Sequence, residues 1–225
     1  MITQISTLQS STYWQLITHL GSSSLLIPIM VITVVNLWLS NQKQVAYLWM
    51  VTLGLAITFT TVTKVMFFGW GIGIALLDFT GVSGHALLAT SIYPILFYSA
   101  YGGAQTKYRS IGLWFGIALS FLVGTSRIIT GAHSMSEVIP AWILGMLVCA
   151  LVLDAMNYQR QRLAYLQVMV LVCLLVFGSI MPNYIPTHDM EIELALLMSG
   201  RDEPYTRSDL VSTQILGQVK LGHTK

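Results

Sequence analysis

The sequence predicts an all-α membrane protein, a polytopic helix bundle with about six transmembrane helices. Of its 225 residues, 55% are hydrophobic and only 9% are charged, whereas about a quarter of the residues in an ordinary soluble domain are charged. The apolar residues form long runs without charge, and a helix needs about 20 mostly apolar residues to cross the hydrocarbon core. A net charge of +2 from scattered residues argues against a nucleic-acid-binding surface.

Six charge-poor segments are long enough to be interpreted as membrane spans. Their approximate limits are Gly21 to Leu39, Val45 to Thr63, Gly84 to Tyr101, Ser110 to Thr125, Ser136 to Met156 and Leu163 to Met181. Lys64 closes the second span, and Pro182 follows the sixth. We therefore expect a six-helix membrane domain over residues 21–181.

The two ends of the chain differ from this domain in composition. Residues 1–20 carry Tyr13 and Trp14 among polar residues, so we expect an N-terminal interfacial segment. Residues 182–225 hold six of the nine acidic residues, and we expect a polar, partly helical C-terminal tail. Three histidines of these end segments have no partner at an informative spacing and are expected to be exposed: His19, His188 and His223.

Basic residues predict the orientation, because cytoplasmic connections are enriched in Lys and Arg. With six crossings, the connections on one face hold Lys43, Lys107, Arg109, Arg160 and Arg162. The connections on the opposite face hold Lys64 and Arg127. We expect the first face to be cytoplasmic and the second face, with both termini, to lie outside. The protein would then reside in a cytoplasmic membrane, such as the bacterial inner membrane, with its second face toward the periplasm or exterior.

Polar and ionisable residues gather at helix ends on this outer face, and such residues at membrane depth indicate function by default. The set is Lys64, Asp78, Ser83, Gly84, His85, Ser126, Arg127, His133 and Glu137. Ser83 is a favoured N-cap residue, and free N–H groups at a helix start bind anions. A plain capped helix would explain residues 81–85 as well. Asp78 is expected to be a solvated loop residue.

His133 and Glu137 are four positions apart. They share one helix face if the fifth helix already includes His133. A carboxylate bonded to one imidazole nitrogen fixes the tautomer and leaves the other nitrogen basic and aimed. This spacing therefore predicts a histidine that acts in catalysis.

An apolar stretch with three glycines, Val65 to Gly73, lies between Lys64 and the third span. A dinucleotide-binding loop is excluded, because no strand–turn–helix context surrounds it. We expect an irregular loop that folds back over the site, with Phe67, Phe68 and Trp70 at the membrane interface. Structural packing and lipid contact both remain open for these aromatic residues.

The most specific motif of the chain resembles a known signature. Ser126-Arg127, then five residues, His133, three residues and Glu137 is similar to Ser-Arg-x5-His-x3-Asp. This is the third signature of the phosphatidic acid phosphatase type 2 superfamily. The resemblance covers roughly residues 45–156.

Two further motifs agree with this family in order and position. Ser83-Gly84-His85 resembles the second signature, Pro-Ser-Gly-His, and Lys64 stands where the first signature, Lys-x6-Arg-Pro, would begin. All three motifs fall at helix ends on one predicted face. The resemblance therefore implies one site built from three parts of the chain.

The resemblance also implies a chemical role for each matching residue. His133 would be the nucleophile that attacks phosphorus, Glu137 would replace the orienting aspartate, and His85 would protonate the leaving group and later activate water. The phosphoryl oxygens would be held by Lys64, Ser83, the Gly84 backbone N–H and Arg127, with Ser126 beside it. The family mechanism uses no metal and no cofactor.

Three positions depart from the family pattern. The arginine of the first signature falls at Gly71, which removes a charge-assisted donor suited to phosphate. Val82 replaces the proline that mainly shapes a turn, and Glu137 is one methylene longer than aspartate. The change at Gly71 bears most on activity.

The sequence therefore predicts an enzyme, a lipid phosphate or diphosphate phosphatase or phosphotransferase that acts through a phosphohistidine at the outer face of the membrane. Its partners would be membrane lipids and a lipid phosphate or isoprenyl diphosphate substrate, while the oligomeric state stays open. One alternative is a non-catalytic family member that binds a lipid head group. A second is a rhomboid-like serine protease, because residues 81–84 also satisfy Gly-x-Ser-Gly, with Ser83 as nucleophile and His133 as base.

Overall fold

The computed structural model describes residues 12–100, 106–156, 186–210 and 212, and this part of the chain is helical without named strands. A short helix, α1, covers residues 12–19. The helices that follow are α2 (Ser23–Leu39), α3 (Lys43–Trp70), α4 (Gly84–Ala100), α5 (Thr106–Ile129), α6 (Met135–Ala155) and α7 (Thr187–Ser199). One turn of 3-10 helix, Ala75–Leu77, lies between α3 and α4.

Among the described residues, four helical segments are long and apolar enough to cross a membrane. They are Thr12–Leu39, Lys43–Trp70, Lys107–Ile129 and Met135–Ala155. The third predicted span coincides with α4, which has 17 residues. The sixth predicted span, Leu163–Met181, lies outside the described residues, so the count of about six is not confirmed. The all-helical fold and its apolar spanning helices agree with the prediction.

Helix α4 lies at the centre of the bundle and is buried without interruption from Ala86 to Leu96. Gly116 of α5 contacts its backbone, where an added Cβ would come 2.6 Å from the carbonyl oxygen of Tyr93. Small residues allow this close approach between membrane helices. The packing therefore holds α5 close against the middle of α4, the helix that follows Ser83 and begins with Gly84 and His85.

The outward faces of α3, α5 and α6 are apolar. Large exposed side chains on these faces include Leu55, Phe59, Trp114, Phe115, Ile143 and Leu147. Large exposed apolar patches indicate contact with a membrane or with another protein. On a bundle with several spanning helices, these faces suit lipid contact.

The prediction for the end of the second span was wrong in one respect. Helix α3 does not end at Lys64 but continues to Trp70, so the expected irregular loop begins only at Gly71. Gly71 ends the helix in a left-handed conformation, with φ of +69°, which glycine adopts without steric cost. The segment between α3 and α4 covers residues 71–83 and contains the turn of 3-10 helix.

The close approach of α4 and α5 leads to a stability prediction. Gly116→Ala places a Cβ 2.6–2.7 Å from backbone atoms of Tyr93 and Pro94, so the helices must separate. We expect a loss of about 1–3 kcal/mol in the free energy of unfolding, measured as a lower thermal midpoint in detergent. Gly54→Ala is the matched control, because no atom lies within 4 Å of that Cβ. Equal midpoints for the two variants would contradict the packing.

Candidate active site

A cavity of about 1310 Å³ lies at the end of the bundle where α3, α4, α5 and α6 meet. Five of the predicted site residues line it: Lys64, Gly84, His85, Arg127 and His133. The positive charges of Arg127 and Lys64 act on His85, as expected for one shared site. The structure therefore brings the three sequence motifs together.

Backbone N–H groups of the loop before α4 form hydrogen bonds with α3 and α6. The N–H of Val82 donates to Oγ1 of Thr63 at 3.1 Å. The N–H of Ser83 donates to the carbonyl oxygen of Glu137 at 3.1 Å. These bonds join the loop to α3 on one side and to the start of α6 on the other.

Glycine at position 81 lets this loop approach Lys64. The φ of Gly81 is +149°, and a Cβ there would come 2.6 Å from Cγ of Lys64. At Gly84, an added Cβ would lie 3.9 Å from the Lys64 ammonium. A cationic side chain beside the first N–H groups of a helix is an arrangement that binds anions.

His133 is held between the end of α5 and the start of α6. Its N–H donates to the carbonyl oxygen of Arg127 at 3.1 Å, and its Nδ1 lies 2.7 Å from Oε2 of Glu137. Helix α6 begins at Met135 after the N-cap Ser134, so the pair forms across the helix start and not on one helical face. With the proton on Nδ1, the lone pair of the imidazole lies on Nε2.

The Glu137 side chain is fully buried and accepts hydrogen bonds from several directions. Oε1 receives the N–H of Thr80 at 2.8 Å and its hydroxyl at 2.5 Å. Besides His133, Oε2 receives the N–H of Ser134 at 3.1 Å and Nη2 of Arg207 at 2.6 Å. A buried carboxylate requires such partners, because transfer of an unpaired charge out of water is costly.

The surroundings of His133 favour the neutral imidazole. Burial lowers the pKa of His133 below its ordinary value, the hydrogen bond and charge of Glu137 raise it, and the charges of Arg127 and Lys64 lower it again. The net effect is a pKa of His133 below its ordinary value. At neutral pH, most of the molecules therefore carry the form with a free lone pair, which a nucleophile requires.

Two predicted phosphate-binding side chains have buried polar atoms that lack a hydrogen-bond partner among the described residues. They are Oγ of Ser83 and Nε of Arg127. Buried polar groups are nearly always satisfied in folded proteins. Their position beside the cavity and the start of α4 suits an anion with several oxygens.

Ser126 has a different environment from the other predicted site residues. It is buried, its hydroxyl donates to the carbonyl oxygen of Val123 at 2.6 Å, and its Oγ lies 2.8 Å from Oγ1 of Thr18. These contacts join α5 to α1. A role for Ser126 in phosphate binding stays a prediction.

The C-terminal segment packs directly on the site. Helix α7 lies against α3, where the carbonyl oxygen of Ala195 would be 3.1 Å from a Cβ at Gly69. Oε2 of Glu191 lies 2.8 Å from Nζ of Lys64, and both side chains are nearly buried. The tail therefore places a carboxylate on a predicted phosphate-binding residue.

Beyond α7 the chain returns to the start of α6. The ring of Tyr205 lies against Gly71, where an added Cβ would come 3.1 Å from two ring carbons. Arg207 then bridges Oδ2 of Asp78 and Oε2 of Glu137, at 2.6 Å from each. Asp78, expected to be a solvated loop residue, is about half exposed and paired with this arginine.

Sequence reasoning missed four residues of the site. Thr80 and Arg207 contact Glu137, Glu191 contacts Lys64, and His19, expected to be exposed, is partly buried and lines the cavity. His188, also expected to be exposed, is exposed and packs edge-on against Phe68. His223 lies outside the described residues. Thr80 could have been found in the sequence as a polar residue near Ser83. Glu191 and Arg207 could not, because no spacing pattern relates the tail to the motifs.

The chain is similar to a protein family, to an uncharacterized protein and to a phosphatase. The model of the PAP2 superfamily matches residues 76–161. An uncharacterized 22.5 kDa protein of the cps region of Klebsiella pneumoniae is 32% identical over 207 residues, which cover 88% of this chain and 97% of that protein. Phosphatidylglycerophosphatase B of Bacillus subtilis is 28% identical over 142 residues, 60% of this chain and 70% of that enzyme. No solved structure gives a significant match.

The fold and the site define an all-helical membrane protein with a histidine–carboxylate pair in a basic cavity. The chain belongs to the PAP2 superfamily, the family whose three signatures it resembles. The resemblance inferred from the sequence is thereby confirmed. Membership in this family suggests a lipid phosphatase.

The ion pair between Glu191 and Lys64 leads to a binding prediction. Glu191→Gln removes a negative charge 2.8 Å from the Lys64 ammonium, so we expect vanadate, a phosphate analogue, to bind several-fold more tightly. The thermal midpoint without vanadate should fall, because Lys64 loses its partner in a nearly buried position. Isothermal titration measures the affinity.

Glu193→Gln is the matched control for this variant, because Glu193 is exposed on the same helix. It should bind vanadate with wild-type affinity. Equal affinities for the two variants would show that Glu191 does not compete with an anion for Lys64.

Proposed function

We propose that this protein is a membrane-embedded phosphatase or phosphotransferase that acts on a lipid phosphate or diphosphate through a phosphohistidine at His133. The observation that carries the proposal is the 2.7 Å contact between His133 and the buried Glu137, with His133 in a cavity that Lys64, His85 and Arg127 also line. Similarity to phosphatidylglycerophosphatase B supports the class of reaction.

The substrate phosphate binds where positive charge and N–H groups converge. Lys64 and Arg127 offset the charge of the phosphoryl oxygens, and the start of α4 offers the N–H of Gly84 and the hydroxyl of Ser83. Phosphoryl transfer depends mainly on such positioning and on charge stabilisation in the transition state. The unpartnered Oγ of Ser83 and Nε of Arg127 support this arrangement.

In the first step, Nε2 of His133 attacks phosphorus and the bond between phosphorus and the lipid oxygen breaks. His85, protonated when the bound phosphate offsets the charges of Lys64 and Arg127, donates a proton to that oxygen, so the lipid leaves as an alcohol, or as a monophosphate from a diphosphate. Glu137 holds the Nδ1 proton and stabilises the positive charge that develops on the imidazole ring. The product is a phosphohistidine.

In the second step, water or a second lipid hydroxyl attacks the phosphohistidine. Neutral His85 accepts the proton of this nucleophile, and the bond between phosphorus and Nε2 breaks. His133 returns to its neutral state, and phosphate or a new phosphoester is released. Protons balance over the cycle, because His85 gives one proton in the first step and regains one in the second.

The cavity also has room for part of a lipid chain. Apolar side chains from α2, α3, α4 and α7 contribute to its wall: Ile27, Ile57, Leu87, Leu88 and Leu194. A polar end with an adjoining apolar wall suits a phosphorylated head group attached to an acyl or isoprenyl chain. This wall supports a lipid as the substrate.

We place the site on the outer side of a cytoplasmic membrane. Lys64 and Arg127 lie near the ends of α3 and α5, whereas Lys43 and Lys107 lie near the starts of the same helices. Enrichment of Lys and Arg in cytoplasmic connections supports placing the helix starts inside. The phosphorylated head group would then be hydrolysed in the outer leaflet.

A head-group-binding protein without turnover is the second candidate. Two observations favour it. Position 71 is glycine where the family pattern has arginine, and Lys64 forms an ion pair with Glu191. The serine-protease alternative has no such support, because Oγ of Ser83 has no hydrogen-bond partner in the described residues, whereas a nucleophilic serine needs a base within reach. Turnover separates the first two candidates.

The proposed nucleophile leads to an activity prediction. Purified protein in detergent should release phosphate from at least one of phosphatidic acid, phosphatidylglycerol phosphate and a polyprenyl diphosphate. His133→Ala should lower the rate by at least about 10³-fold, because the covalent step loses its nucleophile. Rapid quenching at high pH with a labelled substrate should trap phosphohistidine in the wild type and not in the variant.

His223→Ala is the control for this experiment, because His223 belongs to none of the three sequence motifs. It should retain wild-type turnover and labelling. Wild-type turnover in a folded His133→Ala protein would overturn the proposed mechanism. Vanadate binding without turnover on any of the three substrates would favour the head-group-binding protein.

A further inference from the structure

Arg207 is a cation of the site that belongs to none of the three sequence motifs. It lines the same cavity as His85, Arg127 and His133. Its guanidinium lies 2.6 Å from the buried carboxylate of Glu137, and its side chain is 37% exposed. A charged group from a distant segment therefore contacts the carboxylate that orients the proposed nucleophile.

The same segment fills the place at which the family pattern has an arginine. A side chain at position 71 would meet the ring of Tyr205 and would have to adopt a φ of +69°. Two residues later, the segment brings Arg207 to the site. The segment that excludes a side chain at position 71 is therefore the same segment that brings the Arg207 cation to the site.

The two ion pairs of Arg207 differ in environment. The carboxylate of Asp78 is 55% exposed, whereas that of Glu137 is fully buried. The exposed pair with Asp78 contributes little to stability. It nevertheless orients the guanidinium, because a planar group that contacts two carboxylates has a defined orientation. Arg207 then acts on the site through its contact with Glu137.

We propose that Arg207 is a positioning residue of the active site, which holds the Glu137 carboxylate on His133 and supplies the positive charge that Gly71 lacks. This inference rests on the proposed function. Oε2 of Glu137 is shared by His133, Ser134 and Arg207. The guanidinium limits the rotation of the carboxylate and offsets part of its charge.

This role has a consequence for protonation. The charged and titratable groups around His133 are Glu137, Arg207, Arg127, Lys64 and His85. Without Arg207, the Glu137 charge acts on His133 without compensation, so the pKa of His133 rises. The imidazole then stays protonated, and unreactive, up to a higher pH.

The test uses the full-length protein in detergent with the best lipid substrate. Arg207→Gln should lower kcat/KM by about tenfold or more, since a charge-assisted bond is lost. The acid limb of its pH–rate profile should move to higher pH. A purely structural loss would lower the rate without moving this limb. Asp202→Asn, which removes a charge at an exposed position of the same segment, should keep the wild-type rate and profile.

Arg207→Lys is the second variant, because it keeps the charge but cannot bridge both carboxylates. It should lose activity by several-fold with an unmoved acid limb. Wild-type rates in both Arg207→Gln and Arg207→Lys would overturn the inference. If Arg207→Gln does not fold, a wild-type rate in Arg207→Lys is sufficient to overturn it.

The wild-type protein separates this inference from the proposed function. If the wild type shows no turnover, both are overturned. If its turnover depends on His133 but not on Arg207, only the inference is overturned.

Discussion

The buried carboxylate of Glu137 is the constraint on which the site depends. A charge that is excluded from water needs several donors, and loss of one partner of such a pair costs about 3–5 kcal/mol. The donors come from three separate parts of the chain, through Thr80, His133 with Ser134, and Arg207. The loop before α4, the start of α6 and the C-terminal segment are therefore held in one arrangement by a single charged group.

This arrangement gives a physical account of two departures from the family pattern. Glu137 is one methylene longer than aspartate, and both of its carboxylate oxygens have partners. One oxygen contacts Thr80, and the other contacts Ser134 and His133. Gly71 accompanies the docking of Tyr205, which leaves no space for a side chain there. Both departures follow from the contacts of the site in this chain, so neither of them requires that activity be lost.

The fold and most of the site could be predicted from the sequence, because local patterns encode them. Apolar runs predicted the helices, and the spacing of the motifs identified Lys64, His85, Arg127 and His133, which line one cavity. The end of α3 was misplaced, because a lysine near a helix end does not stop the helix, whereas the left-handed Gly71 does. The tail could not be placed, since Glu191 and Arg207 contact residues 70 or more positions away and no local periodicity encodes such a contact.

The tautomer of His133 tests the account most directly, because the proposed chemistry requires the proton on Nδ1 and the lone pair on Nε2. Nitrogen NMR of protein labelled with ¹⁵N-histidine measures it, and the loss of one of the five histidine signals in His133→Asn assigns the residue. The account predicts Nδ1–H in the wild type at neutral pH and a mixture of tautomers in Glu137→Ala, which removes the acceptor of that proton. A wild-type His133 with its proton on Nε2, or a tautomer unchanged in Glu137→Ala, would contradict it.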